Sequence, residues 1–416
     1  GPLRDLLVDG VIGGVGAVIV FLPNIMILYL FISFMEDSGY LARAAFIMDR
    51  VMHRIGVHGK SFIPLIMGFG CNVPAIMACR TIESRSSRLI TILITPFMSC
   101  SARIPIYLLL AGTFFAADAG TVMLGLYALG IVLAVVTARL MRRFLFPVDE
   151  TPFVMELPPY RLPTWKTTLS HMWDKCAQYL KKMGGMILIA SVIVWFLSYY
   201  PRTDAAAGTE AHYENSYLGR LGKGCEPVFS PLGLNWKAGV ALLSGVPAKE
   251  IIVSTLGVLY SEGAPAAANT AAQPSGTIEI VAESGEMTDT AKLSINDLQN
   301  GKVAVIGGAD GPTAIYIAEK ADGRPGLNPE TAAEDAAADR DEETVNLAQR
   351  LTASGDFTHA SALAFLVFIL LYFPCIATVA AIGSEAGWRW AVASVAYNTL
   401  LAWLAAWAVY HLVMWL

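Results

Sequence analysis

Eight stretches of this chain are apolar over about the length that a helix needs to cross a bilayer, and three of them are broken in the middle. A bilayer core takes roughly 20 apolar residues in helix. Residues 11–35, 88–111, 121–145, 183–200 and 388–416 reach that length uninterrupted. By contrast, 61–79 is interrupted by GFGCNVP, 237–260 by SGVP and 360–384 by YFPC. A proline inside a helix removes a hydrogen bond and clashes with the preceding turn. In hydrocarbon the freed backbone groups need a partner from protein, water or a substrate. The expected fold is therefore an all-α polytopic membrane protein of about eight spanning or broken helices, with a site at the breaks.

Composition agrees. Of 416 residues, 55% are hydrophobic and 15% charged, whereas soluble domains run near 45–50% apolar and about 25% charged. An ordinary soluble enzyme is excluded. Lys and Arg number 29 against 34 Asp and Glu, with no basic tract, so a nucleic-acid partner has no electrostatic footprint. The acids are concentrated: residues 261–358 hold 17 acidic and 6 basic side chains, the remainder 17 acidic and 23 basic. This marks a soluble acidic insert in a basic membrane protein. Its GAPAAANTAAQPSG and PETAAEDAAADRDEET stretches are expected to be flexible.

Residues 164–182, TWKTTLSHMWDKCAQYLKK, place Trp165, Leu169, Met172, Trp173, Cys176 and Leu180 on one helical face, the pattern of an amphipathic helix lying on a membrane surface. With Arg139, Arg142 and Arg143 nearby, the 142–182 connection is the most basic short loop and is assigned to the cytoplasm. The N-terminal GPLRDLLVDG lacks a basic n-region and cleavage site, so the first apolar helix is expected to stay in the mature chain. The resulting division is 1–145, a first membrane repeat; 146–182, loop and amphipathic helix; 183–260, the first part of a second repeat; 261–358, the insert; and 359–416, the last helices.

The word repeat rests on two blocks. FGCNVPAIM (69–77) aligns with LSGVPAKE (243–250) through a shared Val-Pro-Ala, and ITPFMSCSARIPI (94–106) aligns with LLYFPCIATVAAI (370–382), setting Cys100 opposite Cys375. Duplicated halves with discontinuous helices are a design of secondary transporters, whose substrate sites lie near the midplane. Span counting leaves open whether these repeats are inverted or parallel.

Six cysteines occur, at 71, 79, 100, 176, 225 and 375. Cys71, Cys100 and Cys375 each lie in or beside a break, and thiol sulfur favours softer or borderline metals such as Fe(II), Zn and Cu(I) over Mg, Ca and Na. The other three lack that context and read as structural. Glu250 lies in an otherwise apolar span, where a carboxylate is costly and marks a candidate site; a local pair with Lys249 is the alternative. Glu36 and Asp37 end the first span, where they either cap the next helix or attract cations at a pore mouth. The candidate metal residues are thus Cys71, Cys100, Cys375, Glu250, Glu36 and Asp37. The sequence contains no HExxH, phosphate-binding loop or GxSxG motif, so no catalytic site or cofactor is assigned.

The segments GPLRDLLVDGVIGGVGAVIVFLPNI, EDSGYLARAAFIMDR, HGKSFIPLIMGFGCNVPAIMACRTI, PFMSCSARIPIY, GVPAKEIIVSTLGVLY and YFPCIATVAAI resemble the membrane region of the FeoB ferrous-iron transporters, over residues 1 to about 260 and about 360 to the end. The two broken blocks resemble that family's paired Gate domains. The resemblance implies Fe2+ as transported substrate, a bacterial inner membrane, and Cys71, Cys100 and Cys375 along the path. It also implies a GTPase domain or subunit and small cytoplasmic accessory proteins as partners beside the lipid bilayer, with a homo-oligomer left open. GTP would enter only through that GTPase domain, which the family carries before its membrane region; either this chain is a truncation or the GTPase is a separate chain. Within the insert, VAVIGGADGPTAIYIAEK (303–320) resembles a segment of the β subunit of sodium-pumping decarboxylases. Two other functions stay open: a nucleoside or other solute transporter of the Gate fold, expected to use Asn, Gln, Glu and Ser at the breaks, and a non-transporting membrane scaffold.

Because the chain lacks a phosphate-binding loop, the purified chain is expected to bind no GTP; micromolar binding in a calorimeter would overturn that expectation.

Overall fold

The computed structural model describes residues 13–146, 160, 163–201, 210–260, 277–284, 287–294 and 346–415. The chain divides into two compact units, residues 1–262 with 351–416, and residues 263–350. In the second unit residues 277–294 form a hairpin, β1 (Thr277–Ser284) antiparallel to β2 (Met287–Ser294), with Ser284 opposite Met287, and residues 346–350 are helical. The 303–320 segment lies outside the described residues. The division falls at 350 rather than 358 because Leu351 and Phe357 are buried in the first unit. There the Phe357 ring lies 6.3 Å from that of Tyr260 and 5.6 Å from that of Phe365.

The first unit is helical, and its order of elements runs twice. The first pass is α1 (Gly13–Asp37), α2 (Tyr40–Ile55), the short pair α3 (Phe62–Gly70) and α4 (Asn72–Ala78), then α5 (Arg85–Ile94), α6 (Ile104–Phe114) and α7 (Ala119–Phe144). The second is α8 (Trp165–Tyr199), α9 (Glu210–Asn215), α10 (Tyr217–Phe229), the short pair α11 (Trp236–Ser244) and α12 (Ile251–Leu259), then α13 (His359–Leu371), α14 (Ile376–Ala386) and α15 (Trp388–Trp415). Among the described residues, Arg85–Phe114, Ala119–Phe144, Trp165–Tyr199, His359–Ala386 and Trp388–Trp415 are long and apolar enough to cross a membrane, and α1 with α2 forms a sixth candidate bent by 80°. Gly39 supplies that bend with a φ of 75°, a conformation that costs a residue without Cβ little.

Side-chain pairs identify the two ends of the unit. At one end Arg139 donates to the Arg54 carbonyl at 3.1 Å, Arg142 to Ser86 at 3.3 Å and Lys60 to Glu83 at 2.7 Å, His171 lies 3.3 Å from Asp37, and Arg80 forks onto Glu385. Lys60 holds the Glu83 carboxyl below its usual range, and burial pushes the His58 imidazole down. At the other end the rings of Phe114, Phe115, Tyr260, Phe357 and His359 meet.

These contacts fix the topology. The pair α3–α4 begins and ends at the basic end, since Lys60 precedes it and Glu83 follows it. The pair α11–α12 begins and ends at the aromatic end, since Lys237 donates to the Leu259 carbonyl at 3.3 Å and Asn235 to the Tyr260 hydroxyl at 3.4 Å. Both are re-entrant hairpins. Span α5–α6 runs from the basic to the aromatic end and α13–α14 runs back, so the two repeats are inverted.

One alternative left open by the sequence is resolved and two expectations are corrected here. Residues 61–79 and 237–260, open between spanning and re-entering, do not cross: arms of nine and seven residues, and of nine and nine, reach only about 10–14 Å at 1.5 Å per residue, against a core of roughly 30 Å. The 88–111 stretch, read as continuous, is itself broken between α5 and α6. Residues 164–182 are no separate surface helix but continue through 183–199 as the 35-residue α8. The helix that folds across the basic end is α2.

The first unit carries its own buried core in α5, α6 and α13. Removing residues 263–350, with Glu262 joined to Leu351, is accordingly expected to leave a monodisperse protein in detergent, with stability changed by less than about 1 kcal/mol. Aggregation of the deletion beside an intact parent would show the insert to be structural.

Candidate functional site

Each repeat contributes two interruptions, and all four meet at one cavity of about 230 Å3. Cys71 sits at the tip of the first hairpin in extended backbone (φ −152°, ψ 131°), between the end of α3 and the start of α4. Residues 245–250 form the tip of the second hairpin. Cys100 precedes a short 3-10 turn that leads into α6, and Cys375 is the N-cap of α14. The prolines explain the stops: Pro96 follows α5, Pro247 lies between α11 and α12, and Pro374 follows α13, each removing a backbone donor that a continuing helix would need.

Every hairpin tip is fastened to the broken span of its own repeat. In the first, Ser101 donates through Oγ to the Gly70 carbonyl at 3.0 Å. In the second, the Ile376 amide donates to the Val246 carbonyl at 3.0 Å. The approach is close, because a Cβ at Gly68 would lie 2.9 Å from the Cβ of Met98. With its amide oriented so that nitrogen donates, Asn72 bridges the carbonyls of Gly68 (3.1 Å) and Thr95 (3.2 Å).

Cys71, Cys100, Cys375 and Glu250 all line the cavity, alongside Tyr179 and Ser191 of α8. The three thiols lie within electrostatic reach of one another. Sγ of Cys375 is 3.2 Å from the Thr378 hydroxyl. Among the described residues no group of three or more His, Cys, Asp or Glu is gathered closely enough to hold one metal ion; the three sulfurs line the cavity without forming a single chelate there. Glu36 and Asp37 are not in the lining. They close the end of α1 against α8, Glu36 with Lys175 at 2.5 Å and Asp37 with His171 at 3.3 Å and Thr168 at 3.5 Å.

Two buried cations in the lining went unassigned in the sequence. Arg103, 1% exposed, donates to the carbonyls of Met98 and Pro96, both at 3.3 Å, inside its own break. Lys249, 3% exposed, donates to the Phe373 carbonyl at 3.0 Å and lies 3.0 Å from the centroid of the Tyr372 ring. Among the described contacts it makes no ion pair with Glu250. The signal for both was present as charges in apolar runs, one in SARIP and the adjacent Lys249 and Glu250 in PAKE.

Arg103→Met leaves the Met98 and Pro96 carbonyls without donors at membrane depth; loss of two charge-assisted bonds should cost on the order of 3 kcal/mol, seen as a lower melting temperature in detergent. An unaltered melt would show the break to hold itself.

The Gate profile, described as nucleoside recognition, matches residues 18–114 and 180–389, and a second profile, ferrous iron transport protein B C terminus, matches 123–175. An Fe(2+) transport protein A/Fe(2+) transporter FeoB fusion protein of Porphyromonas gingivalis is 48% identical over 99% of this chain and 44% of its own length. Fe(2+) transporter FeoB of Campylobacter jejuni is 50% identical over 63% of this chain and 43% of its own length. That of Methanocaldococcus jannaschii is 37% identical over 97% of this chain and 49% of its own length. The chain spans about half the length of the curated relatives it matches. No solved structure matches it.

Proposed function

The chain belongs to the Gate family, and on that premise we propose that it forms the permease part of a FeoB-type transporter, passing Fe(II) between its inverted repeats. What carries this function is the convergence of Cys71, Cys100, Cys375 and Glu250 on one cavity from four helix breaks. Sulfur suits Fe(II) better than it suits hard cations, and a path must bind its ion firmly enough to load and weakly enough to release. Separated thiols supplemented by carbonyls meet both demands: the ion is held by one or two sulfurs at a time. A nucleoside carrier would call for amides and hydroxyls, and Asn72, Ser101, Ser191 and Thr378 are in the lining, but the three thiols among them have no part in binding a nucleoside. The basic end, with Arg54, Arg139 and Arg142, is assigned to the cytoplasmic side of a bacterial inner membrane. A GTPase domain or subunit and a small transport protein A-like partner would act from that side, and GTP would be bound there and not in this chain.

Replacing sulfur by oxygen at nearly constant volume tests the path. Cys71→Ser, Cys100→Ser and Cys375→Ser should each lower uptake of labelled iron by about tenfold or more, with expression unchanged. Cys225→Ser, on α10 outside the cavity, should transport like the parent. Glu250→Gln should likewise depress uptake. If all three cavity serines transport normally, the thiols are packing residues.

A further inference from the structure

An ammonium and a substrate cation compete for the same carbonyl in this cavity. Broken helices in transporters use unwound backbone carbonyls to coordinate the coupling or substrate cation. Here the two protein cations already occupy such groups. Arg103 is fixed: both its carbonyls lie within seven residues of it, in its own break. Lys249 is different. It stands on the tip of the second hairpin and reaches a carbonyl 124 residues away, on the broken span. Its seat is the π-face of Tyr372, with the Phe373 ring 5.7 Å off, a place that suits any cation. A lysine is a compact charge on a flexible four-carbon stem, so this ammonium can leave its seat where a forked guanidinium could not.

We propose that Lys249 is a tethered cation that shuts the empty cavity and sets its selectivity: an ion passes only by displacing the ammonium from the Phe373 carbonyl and the Tyr372 ring. Charge repulsion at such close range opposes every incoming cation. A soft divalent ion recovers that cost through the sulfurs of Cys100 and Cys375, whereas Na+ and Mg2+ gain little from thiols and are refused. The proposal rests on the Fe(II) path described above for its substrate, and on the Lys249 seat alone for its gate.

The test is ion leak in vesicles reconstituted with the purified full chain, read as Na+ and Mg2+ flux without iron and as Fe(II) uptake. Lys249→Met should raise Na+ and Mg2+ flux at least tenfold, and Lys249→Arg, which restores charge, should suppress it again. Tyr372→Leu leaves the lysine in place and removes its seat; it should leak as well, giving a second determination if Lys249→Met does not fold. Flux equal to the parent in Lys249→Met, or in Tyr372→Leu where the former is unfolded, overturns the proposal. A leak that Lys249→Arg fails to suppress also overturns it, since loss of packing would then explain the flux. Because the leak needs no iron, parent vesicles that take up no Fe(II) would count against the transport function and not against the gate.

Discussion

Backbone amides and carbonyls that leave a helix inside a bilayer have no water to turn to, and the rest of this structure is arranged around satisfying them at four places. The Gly70 carbonyl takes the Ser101 hydroxyl, the Val246 carbonyl takes the Ile376 amide, and those of Met98 and Pro96 take Arg103. Phe373 takes Lys249. Each donor comes from within the same repeat as its acceptor. A repeat therefore closes these breaks with its own donors, and a cavity lies where the four breaks meet.

Inversion follows from the same economy. A hairpin with arms of seven to nine residues reaches the middle of the membrane and no further, so one hairpin can supply a break from only one side. A second copy of opposite orientation supplies the other. Cys71 and Cys100 of one repeat and Cys375 and Glu250 of the other then line a single cavity.

Much of this was legible in the sequence, and the failures share a cause. Val-Pro-Ala repeated in two apolar blocks and the Pro-Cys of 374–375 were enough to locate three of the four breaks, because proline chemistry is local; the break after α5 was hidden in a stretch of uninterrupted apolar length. Direction is not local. The arms of 61–79 look like two halves of a span, and only the pairing of Lys60 with Glu83 shows that the chain has turned back. Residues 164–182 have real amphipathic periodicity, but nothing before Gly184 ends the helix, so the pattern describes half of α8. Glu36 and Asp37 were ambiguous for want of a partner; Lys175 and His171 lie well over 100 residues away. Lys249 was visible and was weighed only as a neighbour to Glu250, since its acceptor is a carbonyl distant in sequence.

The fork of Arg80 onto Glu385 joins the far ends of α4 and α14, the half-helices whose near ends carry Cys71 and Cys375. One ion pair thus ties the two repeats to each other at the ends remote from the cavity, so both half-helices are held at their far ends while their near ends line it.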